Sequence, residues 1–93
     1  MIYSLKFKEE AFKEWSKLDG SLREQFKKKL AERLITPRVP AAKLGGQKDR
    51  YKIKLRDAGY RLVYEVRDSE IVIVVIAVGK RERSAVYSKA NER

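Results

Sequence analysis

The chain is 93 residues long and 39% charged, with 23 Lys and Arg against 13 Asp and Glu, a formal net charge of +10. It holds no Cys and no His, which excludes a disulfide framework, a zinc site, Cys or His nucleophilic triads and the usual proton shuttle near pH 7. Catalysis would have to use Lys, Arg, Tyr, Asp, Glu or Ser, and the positive balance points to nucleic acid, an anionic membrane surface or an acidic protein partner.

This length suits a single domain, residues 1–93, with one modest core. The opening MIYSLKFKEE is charged from Lys6 onward and lacks the apolar run of a signal peptide. The longest apolar run, Ile71 to Val78, is eight residues, against roughly 20 for a membrane helix. The expected compartment is the cytoplasm, with no membrane partner.

From Ile2 to Phe7 the side chains alternate, Tyr3, Leu5 and Phe7 against Ile2, Ser4 and Lys6, which predicts a short first strand. A first helix is expected from Glu9 and Glu10, whose charges suit the positive end of its dipole, with Ala11, Phe12, Trp15 and Leu18 as its apolar stripe. Asp19 and Gly20 would stop it. Ser21 and Glu24 have capping-box spacing and predict a second helix carrying Leu22, Phe26, Leu30 and Leu34, ended by Thr36 and Pro37. So short a connection makes the two helices an antiparallel hairpin, with Trp15 and Phe26 in its core.

Arg38 to Asp49, with Pro40 and Gly45-Gly46, reads as a loop and carries neither a Walker A nor a Rossmann fingerprint. Three strands follow, near Arg50 to Arg56, Tyr60 to Arg67 and Glu70 to Gly79, with turns at Asp57 to Gly59 and at Asp68-Ser69. The last, IVIVVIAV, is apolar on both faces, as in a strand that is central or covered twice. Ser84, Ala85, Val86, Tyr87 and Ala90 suggest a short C-terminal helix. The fold class is α+β, a helical hairpin packed on a mainly antiparallel four-stranded sheet.

In YKIKLR (51–56), Tyr51, Ile53 and Leu55 alternate with Lys52, Lys54 and Arg56. An even-numbered hairpin loop, such as Ala58 and Gly59, would pair Arg56 with Arg61, Lys54 with Val63 and Lys52 with Glu65, gathering Lys52, Lys54, Arg56 and Arg61 on one face. An odd loop would turn Arg61 into the core unpaired, at a cost of several kcal/mol. A solvated basic face accounts for these cations as well as an anion site does. Lys80, Arg81 and Arg83 follow the buried strand, where a scaffold presents functional groups, and Lys27, Lys28 and Lys29 form the wet face of the second helix, able to meet phosphates non-specifically.

Taken in order, YKIKLR, GYRLVYEV (59–66) and VGKRERSAVY (78–87) resemble the RelE family of bacterial toxins, and the likeness extends to Glu14-Trp15, Lys17-Leu18 and the KKKL of 27–30. It covers nearly the whole chain and is closest from Tyr51 to Tyr87. The resemblance implies a RelE/ParE-like fold and a ribosome-dependent endoribonuclease that cuts mRNA in the ribosomal A site and is silenced by an antitoxin. It implies catalytic roles for Lys52, Lys54, Arg61, Arg81 and Tyr87. From their own placement the basic residues Lys28, Lys29, Lys80 and Arg83 are expected to contact RNA or ribosome, with Arg56 as a rim phosphate contact at most. No cofactor and no metal are expected. The implied partners are a RelB-like antitoxin, the ribosome with its mRNA, and operator DNA only through the antitoxin complex.

Metal-free RNA cleavage needs a base for the 2′-hydroxyl, charge stabilisation at phosphorus and a proton for the leaving 5′-oxygen. Arg61 suits the second task as a planar donor to phosphate oxygens. Tyr87, with phenolate favoured by nearby cations, and Lys54 are the two choices for the base. The resemblance gives the third task to Arg81. Two other readings stand beside this one: a ParE-like toxin that poisons gyrase, which needs no such cationic cluster, and a non-enzymatic RNA- or ribosome-binding module, which would favour exposed stacking aromatics.

Overall fold

The computed structural model describes residues 2–45, 49–80 and Ala90. Strand β1 (Ser4–Phe7) leads into helices α1 (Glu9–Ser16) and α2 (Gly20–Ile35), then a 3-10 turn at Pro40–Ala42 and strands β2 (Arg50–Leu55), β3 (Tyr60–Arg67) and β4 (Val72–Lys80). The sheet order is β1-β4-β3-β2, with β1 parallel to β4 and the other pairs antiparallel. This is the expected α+β architecture, with a mixed sheet. Of the C-terminal helix only Ala90 is described; it is helical and buried, and the rest of that expectation lies outside the described residues.

The helices begin differently from the expected pattern. Gly20 does not merely stop α1; it opens α2, with Asp19 at the N-cap position and no side-chain cap bond. Ser21 therefore sits inside the first turn, where it accepts from Gln25 Nε2 at 3.5 Å, and the Ser21–Glu24 capping box does not form. Arg23 of α2 instead reaches back to close α1, donating to the carbonyls of Leu18 at 2.9 Å and Ser16 at 3.3 Å. Those carbonyls belong to the last turn and exit of α1, which has no bonds of its own to spare for them. With only eight residues, α1 buries Ala11 and Trp15 and leaves Phe12 exposed, its ring 5.6 Å from Phe7 edge-on.

The main core lies between the helical hairpin and one face of the sheet. Trp15, Phe26 and Leu30 meet Ile53, Leu62, Tyr64 and Val75 there, with Trp15 set 5.2 Å from Phe7 and 6.2 Å from Phe26. On the opposite face Val63, Val72, Val74, Ile76, Ala77 and Ala90 form a second buried cluster, with Leu44 half-buried against it. Strand β4 is thus central and covered on both faces, as its unbroken apolar run predicts. A bulge at Ile76, between the Val63–Ala77 and Tyr64–Val75 pairs, puts both Ile76 and Ala77 on that second face. Among the described residues no helix is long and apolar enough to cross a membrane.

Both hairpins close through four residues. Between β2 and β3 the Gly59 N–H bonds to the Leu55 carbonyl at 2.9 Å, with Gly59 at φ 70°, a left-handed conformation that costs glycine nothing. Between β3 and β4 the last loop residue is Ile71 at φ 52°, which delays β4 to Val72 instead of Glu70 and strains a β-branched residue.

Candidate functional site

The four-residue loop sets which cations meet. Leu55 pairs with Tyr60, Lys54 with Arg61 and Lys52 with Val63, so the strands are displaced by two residues from the expected pairing of Arg56 with Arg61. A two-residue slip preserves side-chain parity. Lys52, Lys54 and Arg61 therefore share one face, turned away from the helices, while Tyr51, Ile53, Leu55 and Tyr60 pack toward them. Arg56 falls beyond the strand into the exposed loop.

Lys54 is the meeting point. One groove around it is lined with Arg56, Gly59, Tyr60 and Arg61, a second with Lys29, Arg33, Lys52 and Arg56, and a third with Gln25, Lys29, Arg56 and Asp57. The cationic surface thus runs from Arg61 over the edge of β2 to helix α2, where Lys29 joins it and Lys28 is exposed nearby in sequence. Among the described residues, Lys29, Lys52, Lys54 and Arg56 make no ion pair, whereas Arg38, Arg50 and Arg67 each hold a carboxylate.

Crowding of like charge changes Lys54. The Lys52 ammonium, then burial, then Arg61 and Arg56 hold its proton affinity below the ordinary lysine value. That makes its neutral, basic form more accessible than that of an isolated lysine. The nearby tyrosines go the other way: burial, reinforced by Asp49, pushes Tyr51 up to about 12, and burial raises Tyr64 against the opposing influence of Arg33. Neither is placed to serve as a base.

On β4, Gly79 pairs with Arg61 and adds no side chain of its own to that face. Lys80 pairs with Tyr60 and so belongs by register to the helix face, apart from Lys54. Arg81, Arg83 and Tyr87 lie outside the described residues.

Two contributors escaped the sequence reading. Arg33 on α2 donates from Nη1 to the Tyr64 hydroxyl at 2.8 Å and to the Lys52 carbonyl at 3.3 Å. Its position four residues after Lys29, on the same helix face, was the available signal. Arg50, which reads as an ordinary strand cation, is buried, bound to Glu65 at 3.1 Å and to the Ala90 carbonyl. That contact ties Ala90 to the apolar cluster on the site's face.

Comparison with known proteins identifies the family. Residues 5–85 match the ParE toxin family of type II toxin-antitoxin systems, parDE. The chain is 60% identical over 93 residues to the mRNA interferase toxin RelE of Escherichia coli K12, covering all of this chain and 98% of that protein. It is 57% identical, with the same coverage, to a putative RelE-like toxin protein of Escherichia coli. A mutant of E. coli toxin RelE in the free state superposes with a TM-score of 0.92 at 58% identity, covering 100% of this chain and 98% of that one. RelE in the intact E. coli RelBE toxin-antitoxin complex superposes with a TM-score of 0.83 at 59% identity, covering 87% and 99%. The chain belongs to the RelE family of toxins of type II toxin-antitoxin systems.

Proposed function

We propose that the chain is a toxin and endoribonuclease that cuts mRNA on the ribosome, in the A-site codon. The observation that carries this reading is the convergence of Lys52, Lys54 and Arg61 on one face without a carboxylate on either lysine among the described residues, in a chain 60% identical to an mRNA interferase. The 2′-oxygen attacks the adjacent phosphorus, the bond to the 5′-oxygen breaks, and the products are a 2′,3′-cyclic phosphate and a 5′-hydroxyl. Arg61 donates to the phosphate oxygens as charge builds there. Lys52 adds charge and orients the phosphate.

The 2′-hydroxyl proton goes to Tyr87 or to Lys54, and the lowered proton affinity of Lys54 supports keeping it in that role. Arg81 delivers the proton to the leaving oxygen. Lys28, Lys29, Arg56 and Arg83 contact RNA or ribosome around this centre, and Lys80 does so from the helix face of β4. The ribosome's part is to hold the message in line, a positioning effect worth several kcal/mol for a site with no imidazole.

The partner that silences such a toxin is a RelB-like antitoxin, as in the solved RelBE complex, and the basic surface favours an acidic chain that folds as it binds. Operator DNA would be met only through that complex.

The test is to add purified protein to a translation reaction and map message ends by primer extension, with the same RNA free of ribosomes alongside. Cuts within the A-site codon only on ribosomes are expected, and Arg81→Ala and Tyr87→Phe should each abolish them. Equal cutting of naked RNA would remove the ribosome from the mechanism. The ParE family match favours one second reading, gyrase poisoning. A supercoiling assay inhibited by a protein that leaves messages intact would establish it.

A further inference from the structure

Among the described residues, strand β2 is the last in the sheet and has a neighbouring strand on one side only. Yet it carries Lys52 and Lys54, whose spacing from Arg61 depends on where this strand lies. An edge strand with a single ladder opens more readily than a central one. Its outer side is fastened near the start, where the Leu44 N–H donates to the Arg50 carbonyl at 3.0 Å and Lys43 bridges Tyr51. Two residues further on, the fastening at Lys52 comes from a helix.

There the Arg33 guanidinium is part-buried between elements. Its Nη1 donates to the Lys52 carbonyl and the Tyr64 hydroxyl, its carbon lies 5.7 Å from the Tyr64 ring centre, and the Tyr64 hydroxyl donates on to the Pro37 carbonyl at 2.6 Å. One side chain of α2 thus joins the outer edge of β2, the middle of β3 and the segment that follows its own helix. We propose that Arg33 is a positioning residue for RNA cleavage, pinning β2 at the Lys52 carbonyl so that Lys52 and Lys54 stand at a fixed distance from Arg61. The inference rests on the cleavage reading above. The influence of Lys52 on Lys54 fits it, because that influence depends on how close the two ammonium groups are held.

Arg33 also lines the groove it shares with Lys29 and Lys54, so its rival role is direct contact with RNA. The two roles separate in kinetics: a positioning residue acts on kcat, a ground-state contact on KM. In Arg33→Met, cleavage on programmed ribosomes should lose about tenfold or more in kcat with KM within about twofold. Amide exchange at Ile53 and Leu55 should quicken while β4 amides hold their rates, and Arg33→Lys should recover part of kcat.

A parent-like kcat, a loss borne by KM, or exchange that quickens equally throughout the sheet overturns the proposal. If Arg33→Met fails to fold, the same measurements on Arg33→Lys decide: lower kcat with locally faster β2 exchange upholds pinning, and parent-like values reject it. A parent protein that cuts no message on ribosomes overturns the cleavage reading, and with it any catalytic purpose for Arg33. The local exchange would still show whether the pin exists.

Discussion

The neighbours of Lys54 work against its proton. Lys52 is the largest influence, followed by burial and by Arg61 and Arg56, all of which disfavour the charged form. If Lys54 takes the 2′-hydroxyl proton, cleavage rises with pH through its titration and levels off above it. Replacing Lys52 with Met removes the chief cause of the lowering, so that rise should move to higher pH, whatever happens to the absolute rate. The measurement is single-turnover cleavage across pH on programmed ribosomes, parent against Lys52→Met. A rise that stays in place while the rate falls would take the proton away from Lys54 and leave it with Tyr87. Tyr51, pushed up to about 12 by burial, stays protonated throughout that range and does not confuse the profile.

Elements decide which residues meet, and here Glu65 on β3 is the joint. It accepts from Arg50 of β2 at 3.1 Å and Arg67 of its own strand at 2.6 Å, and Arg50 also donates to the Ala90 carbonyl. Burial pushes the Glu65 carboxyl up, but the hydrogen bonds from Arg67 and Arg50 outweigh it and hold the group below its ordinary 4.5. A carboxylate with a depressed folded value adds stability that is present above the unfolded value and lost as pH falls through the folded one. With the Arg50 side chain 7% exposed and that of Glu65 14%, Glu65→Gln leaves a buried cation short of its partner and should cost about 3 kcal/mol at pH 7. Urea unfolding should show that deficit shrinking below pH 4.5 as the parent carboxyl takes its proton. A loss under about 1 kcal/mol, or one that ignores pH, would deny the joint its role.

At this scale the sequence was readable where burial dictates the answer. Alternation in YKIKLR and GYRLVYEV fixed which side chains share a face, because slipping by one residue would bury Arg61. Loop length was not legible, since it depends on a left-handed Gly59 bonding to Leu55, and so Lys54 and not Arg56 faces Arg61. The capping box failed because Asp19-Gly20 allows α2 to start before Ser21. Arg33 and Arg50 look like ordinary surface cations until tertiary contacts show what they hold.

For the whole molecule, a net charge of +10 matters less than how it is distributed. At one end of the sheet Arg38 is tied to Asp49 and Asp68, and Arg67 to Glu65 and Glu70. At the other, Lys29, Lys52, Lys54 and Arg56 line joined grooves without an ion pair among the described residues, and Lys28 is exposed on the same helix as Lys29. A surface of this kind binds a polyanion by releasing its counterions, so affinity falls with salt in proportion to the phosphates contacted, by about 0.7–0.9 in slope for each. Replacing both Lys28 and Lys29 with Ala should therefore flatten the logarithmic salt dependence of ribosome binding by about 1.5. Between about 50 and 200 mM salt the parent should then lose roughly eightfold more affinity than the double variant. Lys13 gives the contrast: on α1 it lies 3.9 Å from Glu9, and Lys13→Ala should leave the slope unchanged. Equal slopes for the parent and the Lys28/Lys29 variant would confine the phosphate contacts to the sheet, whereas a flattened slope with kcat intact would mark α2 as a surface that docks the ribosome while Lys52, Lys54 and Arg61 act on the message.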